Sequence, residues 1–168
     1  ITARPDQWTS HYNMGNYQLS RGEREQAIAS YQTALKLEPQ AVMALVNASI
    51  AYAQMGENSK AEKILQQALR IAPDSAAANL NMGLLKAEQN DLKAAEKHFK
   101  AAFAADPRMA QAAYNLCIIT AKDRIDEAVA WCRKAWDLAP QEPKYAYSLA
   151  FYLNQKGHKD EAISILKE

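Results

Sequence analysis

Only two cysteines, Cys117 and Cys132, occur among the 168 residues of the chain. That is too few for a disulfide framework, and neither stands in a C-x-x-C pair or a C-x-x-C-H haem-attachment motif. Charge of one sign is missing as well. The formal net charge is +1 and no basic stripe is visible, so a nucleic-acid partner, which needs one to meet phosphates, is excluded. No apolar run is long enough to cross a bilayer, so no membrane partner is expected. The three histidines, His11, His98 and His158, fall in different units and on different faces, where they cannot converge on a metal or on an acid–base pair. The sequence thus predicts no catalytic residue, no metal, no cofactor and no enzyme activity. No signal-peptide pattern opens the chain, which does not begin with methionine, and the compartment stays open.

What the chain has in abundance is period. Pro5, Pro39, Pro73 and Pro107 stand 34 residues apart, and Pro140 follows after 33. Ala27, Ala61, Ala95, Ala128 and Ala162 keep the same beat, as do Ala34, Ala68, Ala102 and Ala135. A period in this range means one supersecondary unit stacked on copies of itself, with a shared core and a function carried on a surface. Within each unit the apolar spacing is helical. His11, Met14, Gly15 and Gln18 fall at i, i+3, i+4 and i+7, matched by Leu45, Ala48, Ser49 and Tyr52 one unit later. Gly22, Gly56, Asn90 and Gly157 then mark first-helix stops, because glycine and asparagine tolerate the left-handed conformation there. A second helix presents Ala27, Tyr31 and Ala34, or Ala61, Leu65 and Ala68, or Ala95, Phe99 and Ala102. Small residues let the two helices approach, and proline closes each unit. The fourth unit is one residue short, which places a deletion in the turn around residues 122–126.

These landmarks resemble the tetratricopeptide repeat over essentially the whole chain. Met14-Gly15, Ala27, Tyr31, Ala34 and Pro39 carry the family pattern in the first unit, and Met82-Gly83, Ala95, Phe99, Ala102 and Pro107 in the third. The second substitutes Ser49 for the small glycine, and the fourth reads Leu116-Cys117, Ala128, Cys132, Ala135 and Pro140. On this reading residues 1–7 are the tail of a preceding repeat. Residues 8–41, 42–75, 76–109 and 110–142 are four repeats, and 143–168 a partial fifth. Both ends look cut from a longer chain. The resemblance implies an all-α solenoid of stacked antiparallel hairpins, a right-handed superhelix with first helices on its concave face. Such modules bind an extended peptide or a partner domain in the groove.

The candidate site residues follow from that orientation. Asn13, Asn47, Asn81 and Asn115 recur every 34 residues, with Ser148 in the fifth place, opposite the strongest core stripe. Such a ladder either pairs with the N–H and C=O groups of an extended peptide or bonds neighbouring helices. Similar asparagine ladders occur in the tetratricopeptide arm of O-linked N-acetylglucosamine transferases. Beside it runs an apolar stripe of Tyr12, Val46, Leu80, Tyr114 and Tyr147, then Ile50, Leu84, Ile118 and Phe151, with Asn16 in the first unit's place. Ile118 and Val46 are expected in the core and the rest on the groove. The lysine-rich clamp with which relatives hold a terminal carboxylate is absent, since Tyr12, Asn16 and Ala77 stand where cations would be needed.

Cys117 and Cys132 are expected as buried free thiols filling the places of a small residue and an aromatic. Trp131 is either an exposed convex anchor or a lid on the fourth hairpin. The leading expectation is a protein-interaction scaffold. The alternative is a recruiting arm of a larger protein, of glycosyltransferase or bacterial multihaem-cytochrome type. A third expectation is a homo-oligomer through the terminal repeats, where Leu149, Phe151, Leu153, Ile163 and Leu166 lack partners.

Overall fold

The computed structural model describes residues 6–167. They form ten helices and, among the described residues, no strand. The helices are α1 (Asp6–Ser20), α2 (Arg24–Leu37), α3 (Val42–Gln54), α4 (Asn58–Ile71), α5 (Ala76–Glu88), α6 (Leu92–Ala105), α7 (Ala110–Thr120), α8 (Ile125–Leu138), α9 (Pro143–Gln155) and α10 (Lys159–Ile165). Each odd-numbered helix pairs with the even-numbered one that follows, and each hairpin packs on the next. The result is a right-handed α-solenoid of antiparallel hairpins. First helices also touch directly, α1 on α3 and α3 on α5, so they line one side of the first three hairpins.

Local chemistry explains where the helices stop. Gly22, Gly56 and Gly157 take positive φ (77°, 76° and 84°), and Asn90 does the same at 60°. In each case the next amide bonds back five residues, as in Glu23 N–H to the Gln18 carbonyl at 2.9 Å and Asp91 N–H to that of Lys86 at 2.9 Å. These bonds satisfy carbonyls that the helix end would leave open. The fourth hairpin turns differently. α7 is 11 residues long against 13 for α3, α5 and α9, and its chain reverses through 121–124 without a left-handed residue. Buried Thr120 supplies the stop instead: its hydroxyl donates to the Leu116 carbonyl at 2.7 Å, and its own carbonyl accepts from Arg124 N–H at 2.8 Å. The missing residue therefore coincides with a change of turn.

Inside each hairpin one pair of positions sets how closely the helices pack. A Cβ built on Gly15 would lie 2.5 Å from the ring of Tyr31, and one on Gly83 would lie 2.5 Å from that of Phe99. Glycine is required there because the ring occupies the space of any side chain. The equivalent pairs are Ser49 with Leu65, Cys117 with Cys132 and Ala150 with Leu166. Here the structure corrects the expectation of free thiols. Cys117 and Cys132 form a disulfide between α7 and α8, with their Cα atoms 5.1 Å apart. The register that elsewhere presses a ring on glycine brings two cysteines into bridging range. Beside the bridge, half-buried Trp131 meets Phe103 edge-on at 5.2 Å and donates its indole N–H to Glu127 at 3.2 Å. Trp131 is thus a lid on the fourth hairpin.

Candidate functional site

The wall of first helices presents three rows of side chains. The middle row is the asparagine ladder, and the structure divides it in two. At the second hairpin the ladder amide is absorbed internally, by residues of the first. The Asn47 amide donates to Asn16 Oδ1 at 2.7 Å and reaches the Tyr12 hydroxyl at 3.3 Å, while the Tyr31 hydroxyl donates to the same Asn16 oxygen at 2.8 Å. Burial, with Tyr12 beside it, pushes the Tyr31 hydroxyl up to about 12, so it remains a donor. At the third and fourth hairpins the amide N–H groups bond back along their own helices. Asn81 donates to the Ala77 carbonyl and Asn115 to that of Gln111, both at 2.9 Å. No hydrogen bond to either Oδ1 occurs among the described residues, which leaves two acceptors on this face. Asn13 is exposed, and Ser148 Oγ lies 3.4 Å from the Tyr114 hydroxyl.

The apolar rows separate by burial. In the row one residue before the ladder, Val46 is 4% exposed and Leu80 8%, because the following hairpin covers them. Leu80 is therefore a core residue, which corrects its place among the groove candidates. Tyr12 and Tyr114 of that row are half-buried, and Tyr147 of the last hairpin is 65% exposed. The row three residues after the ladder faces the groove. Ile50 and Leu84 are half-buried, Ile118 is 42% exposed and Phe151 56%. Ile118 was expected in the core; it is instead 42% exposed, whereas Ile50 and Leu84 of the same row pack partly against the core between hairpins.

One feature of the groove is not legible as a motif. A cavity of about 240 Å³ opens between α3 and α5. Its floor is the buried set Ser49, Ala61, Leu65 and Leu85, its walls are Ile50, Ala53 and Leu84, and Asn81, Gln54 and Glu88 stand at the rim. The signal was present in the sequence: the second hairpin departs from the glycine–aromatic pair, substituting serine and leucine. A second apolar cavity, of about 390 Å³, lies on the last hairpin between Tyr147, Phe151, Ile163 and Leu166. It too falls where the pair is not glycine and aromatic but Ala150 and Leu166.

The polar clusters lie elsewhere. Lys86 pairs with Glu62 at 2.6 Å, and Gln89 adds a bond to the other Glu62 oxygen at 3.2 Å. Arg124 and Lys100 converge on Glu96 and hold its carboxyl down at about 2. Lys86–Glu62 and Arg124–Glu96 join consecutive hairpins, and Lys100–Glu96 lies along α6. His98 Nδ1 lies 3.0 Å from Asn79 Oδ1, and Asn79 spends its N–H groups on the Pro73 and Ser75 carbonyls. Burial, with help from Lys97 and Lys86, lowers the His98 pKa, so the neutral ring donates this bond. No group of His, Cys, Asp and Glu among the described residues could hold a metal ion, and no described helix is long and apolar enough to cross a membrane.

Comparison with known proteins places this architecture. MamA from Desulfovibrio magneticus RS-1 (residues 41 to the end) is 25% identical, with a TM-score of 0.78 over 98% of this chain and 94% of that one. Pseudomonas aeruginosa PilF superposes with a TM-score of 0.86 at 19% identity, over 95% of this chain and 75% of PilF. YrrB, described as a TPR protein with an unusual peptide-binding site, gives 0.70 at 21% identity over 94% and 81%. Among curated protein sequences none matches significantly. The profile of the tetratricopeptide repeat matches residues 12–76 and 80–143. With the hairpin register and the small–large pairs already described, that match settles the family: the chain belongs to the tetratricopeptide repeat proteins.

Proposed function

We propose that this protein-interaction scaffold holds an extended, largely uncharged peptide in its concave groove. The observation that carries the reading is the composition of the groove face. Ile50, Leu84, Ile118 and Phe151 form an accessible aliphatic and aromatic row beside the free Asn81 and Asn115 oxygens. An extended backbone can donate N–H groups to such acceptors while alternate side chains rest on the apolar row. The ladder contributes through its third and fourth rungs, because Asn47 is already bonded to Asn16 and Tyr12.

Selection of a displayed library of unstructured peptides against the chain tests this. Binders are expected to lose about tenfold or more in affinity to Ile118→Asp, and several-fold to the pair Asn81→Ala, Asn115→Ala. Both changes are at accessible positions, so helicity should be unaltered. Binders indifferent to all three substitutions would place the interaction surface elsewhere and end the groove reading.

A second reading, self-association, is favoured by the last hairpin. Tyr147 is 65% exposed where Val46 and Leu80 are covered, and Phe151, Ile163 and Leu166 are each more than half exposed beside it. Sedimentation velocity over a concentration series should show dimers that Tyr147→Lys with Phe151→Lys abolishes. A wild type that stays monomeric at high concentration removes this reading.

A further inference from the structure

The cavity between α3 and α5 has a cause that also defines its occupant. In the first and third hairpins the aromatic ring fills the space above glycine. In the second, Leu65 is shorter than a ring, and Ser49 restores only one small side chain, so a void remains on the groove side. Its lining is mostly apolar, and its polar floor group is spent, since Ser49 Oγ donates to the Val46 carbonyl at 2.6 Å. At about 240 Å³ it is smaller than the roughly 300–1,000 Å³ of sites that enclose a small organic ligand. It is suited to one side chain. Glu88 is the only charged residue lining it and makes no ion pair or hydrogen bond among the described residues.

We infer that this cavity is the anchoring subsite of the groove, taking one bulky aliphatic or aromatic side chain of an extended peptide whose adjacent residue is basic. The inference rests on the peptide-groove reading and adds to it a position and a sequence preference. The ring-sized space left by the Ser49–Leu65 pair receives the apolar side chain between Ile50 and Leu84. Asn81 Oδ1 at the rim accepts a backbone N–H of the same segment. The unpaired Glu88 carboxylate meets the neighbouring lysine or arginine. An acidic or small residue at these places leaves the cavity void or the carboxylate repelled.

The structure itself supplies the variant that tests this. Ser49→Gly with Leu65→Phe restores the pair that hairpins one and three already accommodate, and it fills the cavity from below. The probes are fluorescein-labelled synthetic peptides on a serine–asparagine–threonine scaffold. One central position varies through Ala, Val, Leu and Phe, and the next through Lys, Gln and Glu.

For the wild type, Leu or Phe should bind roughly 10- to 100-fold tighter than Ala. Lys should be preferred over Gln by a few-fold at low salt. The filled variant should keep its helicity and lose the central-residue preference, and Glu88→Gln should lose only the Lys preference. Ala53→Leu fills the same cavity from α3 and serves if the double variant does not fold.

A Leu preference that survives both filled variants, or peptides that bind without any such preference, would overturn the subsite and leave the groove reading standing. Absence of binding by every peptide would overturn both.

Discussion

Hairpins one and three differ from hairpins two and four in how they solve the same packing problem. Gly15 with Tyr31 and Gly83 with Phe99 bring the helices together over a flat ring. Ser49 with Leu65 leaves space on the groove side, and Cys117 with Cys132 replaces packing by a covalent bond. The antiparallel hairpin is common to all four, but the consequences are not. The first solution yields a closed hairpin, the second a hairpin with a receptor cavity, and the third a hairpin stapled across its middle. In a repeat array, where each unit touches only its neighbours, such differences remain local.

That comparison can be broken most sharply by deleting the large partner. Phe99→Ala should cost about 3–5 kcal/mol, as a buried ring leaves a cavity it cannot collapse. Leu65→Ala should fall at the lower end of about 2–5 kcal/mol, because part of its surroundings is already void. Denaturant midpoints, with hydrogen exchange to localise the loss, measure both. Equal costs would deny that hairpin two is the looser one.

Reduction of the Cys117–Cys132 bridge should come next. A cross-link between residues 15 apart in sequence contributes about 3 kcal/mol in the chain-entropy description. Hydrogen exchange should accelerate in α7 and α8 on reduction and remain slow in α3 to α5. Loss spread evenly over the array would show that the hairpins are more strongly coupled than their contacts imply.

Placing alanine at the small partner probes the other side of the pair. Gly83→Ala should destabilise by about 1–3 kcal/mol, since its Cβ meets the Phe99 ring. Ser49→Ala should cost under about 1 kcal/mol, losing one hydroxyl bond and no space. Thermal melts of the two variants compare the pair directly.

The smallest effect concerns pH. Hairpin three carries His98 and Asn79 where hairpin two has Ile64 and Leu45. The folded His98 pKa lies below its ordinary 6.5, so between the two values the unfolded chain binds the proton and the folded one does not. His98 therefore supports stability fully above pH 6.5 and loses that support as pH falls through its lowered value. His98→Gln should flatten this part of the stability profile. An unchanged acid slope would assign it to carboxylates such as Glu96 instead.

Much of this molecule could be read directly from residue spacing. Gly22, Gly56, Asn90 and Gly157 announced their turns, because few other residues accept positive φ. The alanine rows and the ring above each glycine announced the hairpins. The groove was less legible. Leu80 and Ile118 are both apolar and both near the ladder, yet one lies under the next hairpin and the other on the open face. Which row is covered depends on the angle between consecutive hairpins, and helical periodicity within one unit does not contain it. The same limit hid the fate of Asn47, whose partners Tyr12 and Asn16 come from the preceding repeat.

By itself, then, the order of residues determined the hairpin, its stops and its repetition, since these follow from local backbone preference and from the pairing of small with large side chains. Tertiary structure decided what the stacked surface offers. It joined Cys117 to Cys132, consumed the amide of Asn47 and left those of Asn81 and Asn115 with free oxygens. It also turned a shortened side chain at Leu65 into a cavity, because voids and free hydrogen-bonding groups are properties of what the neighbours leave unfilled.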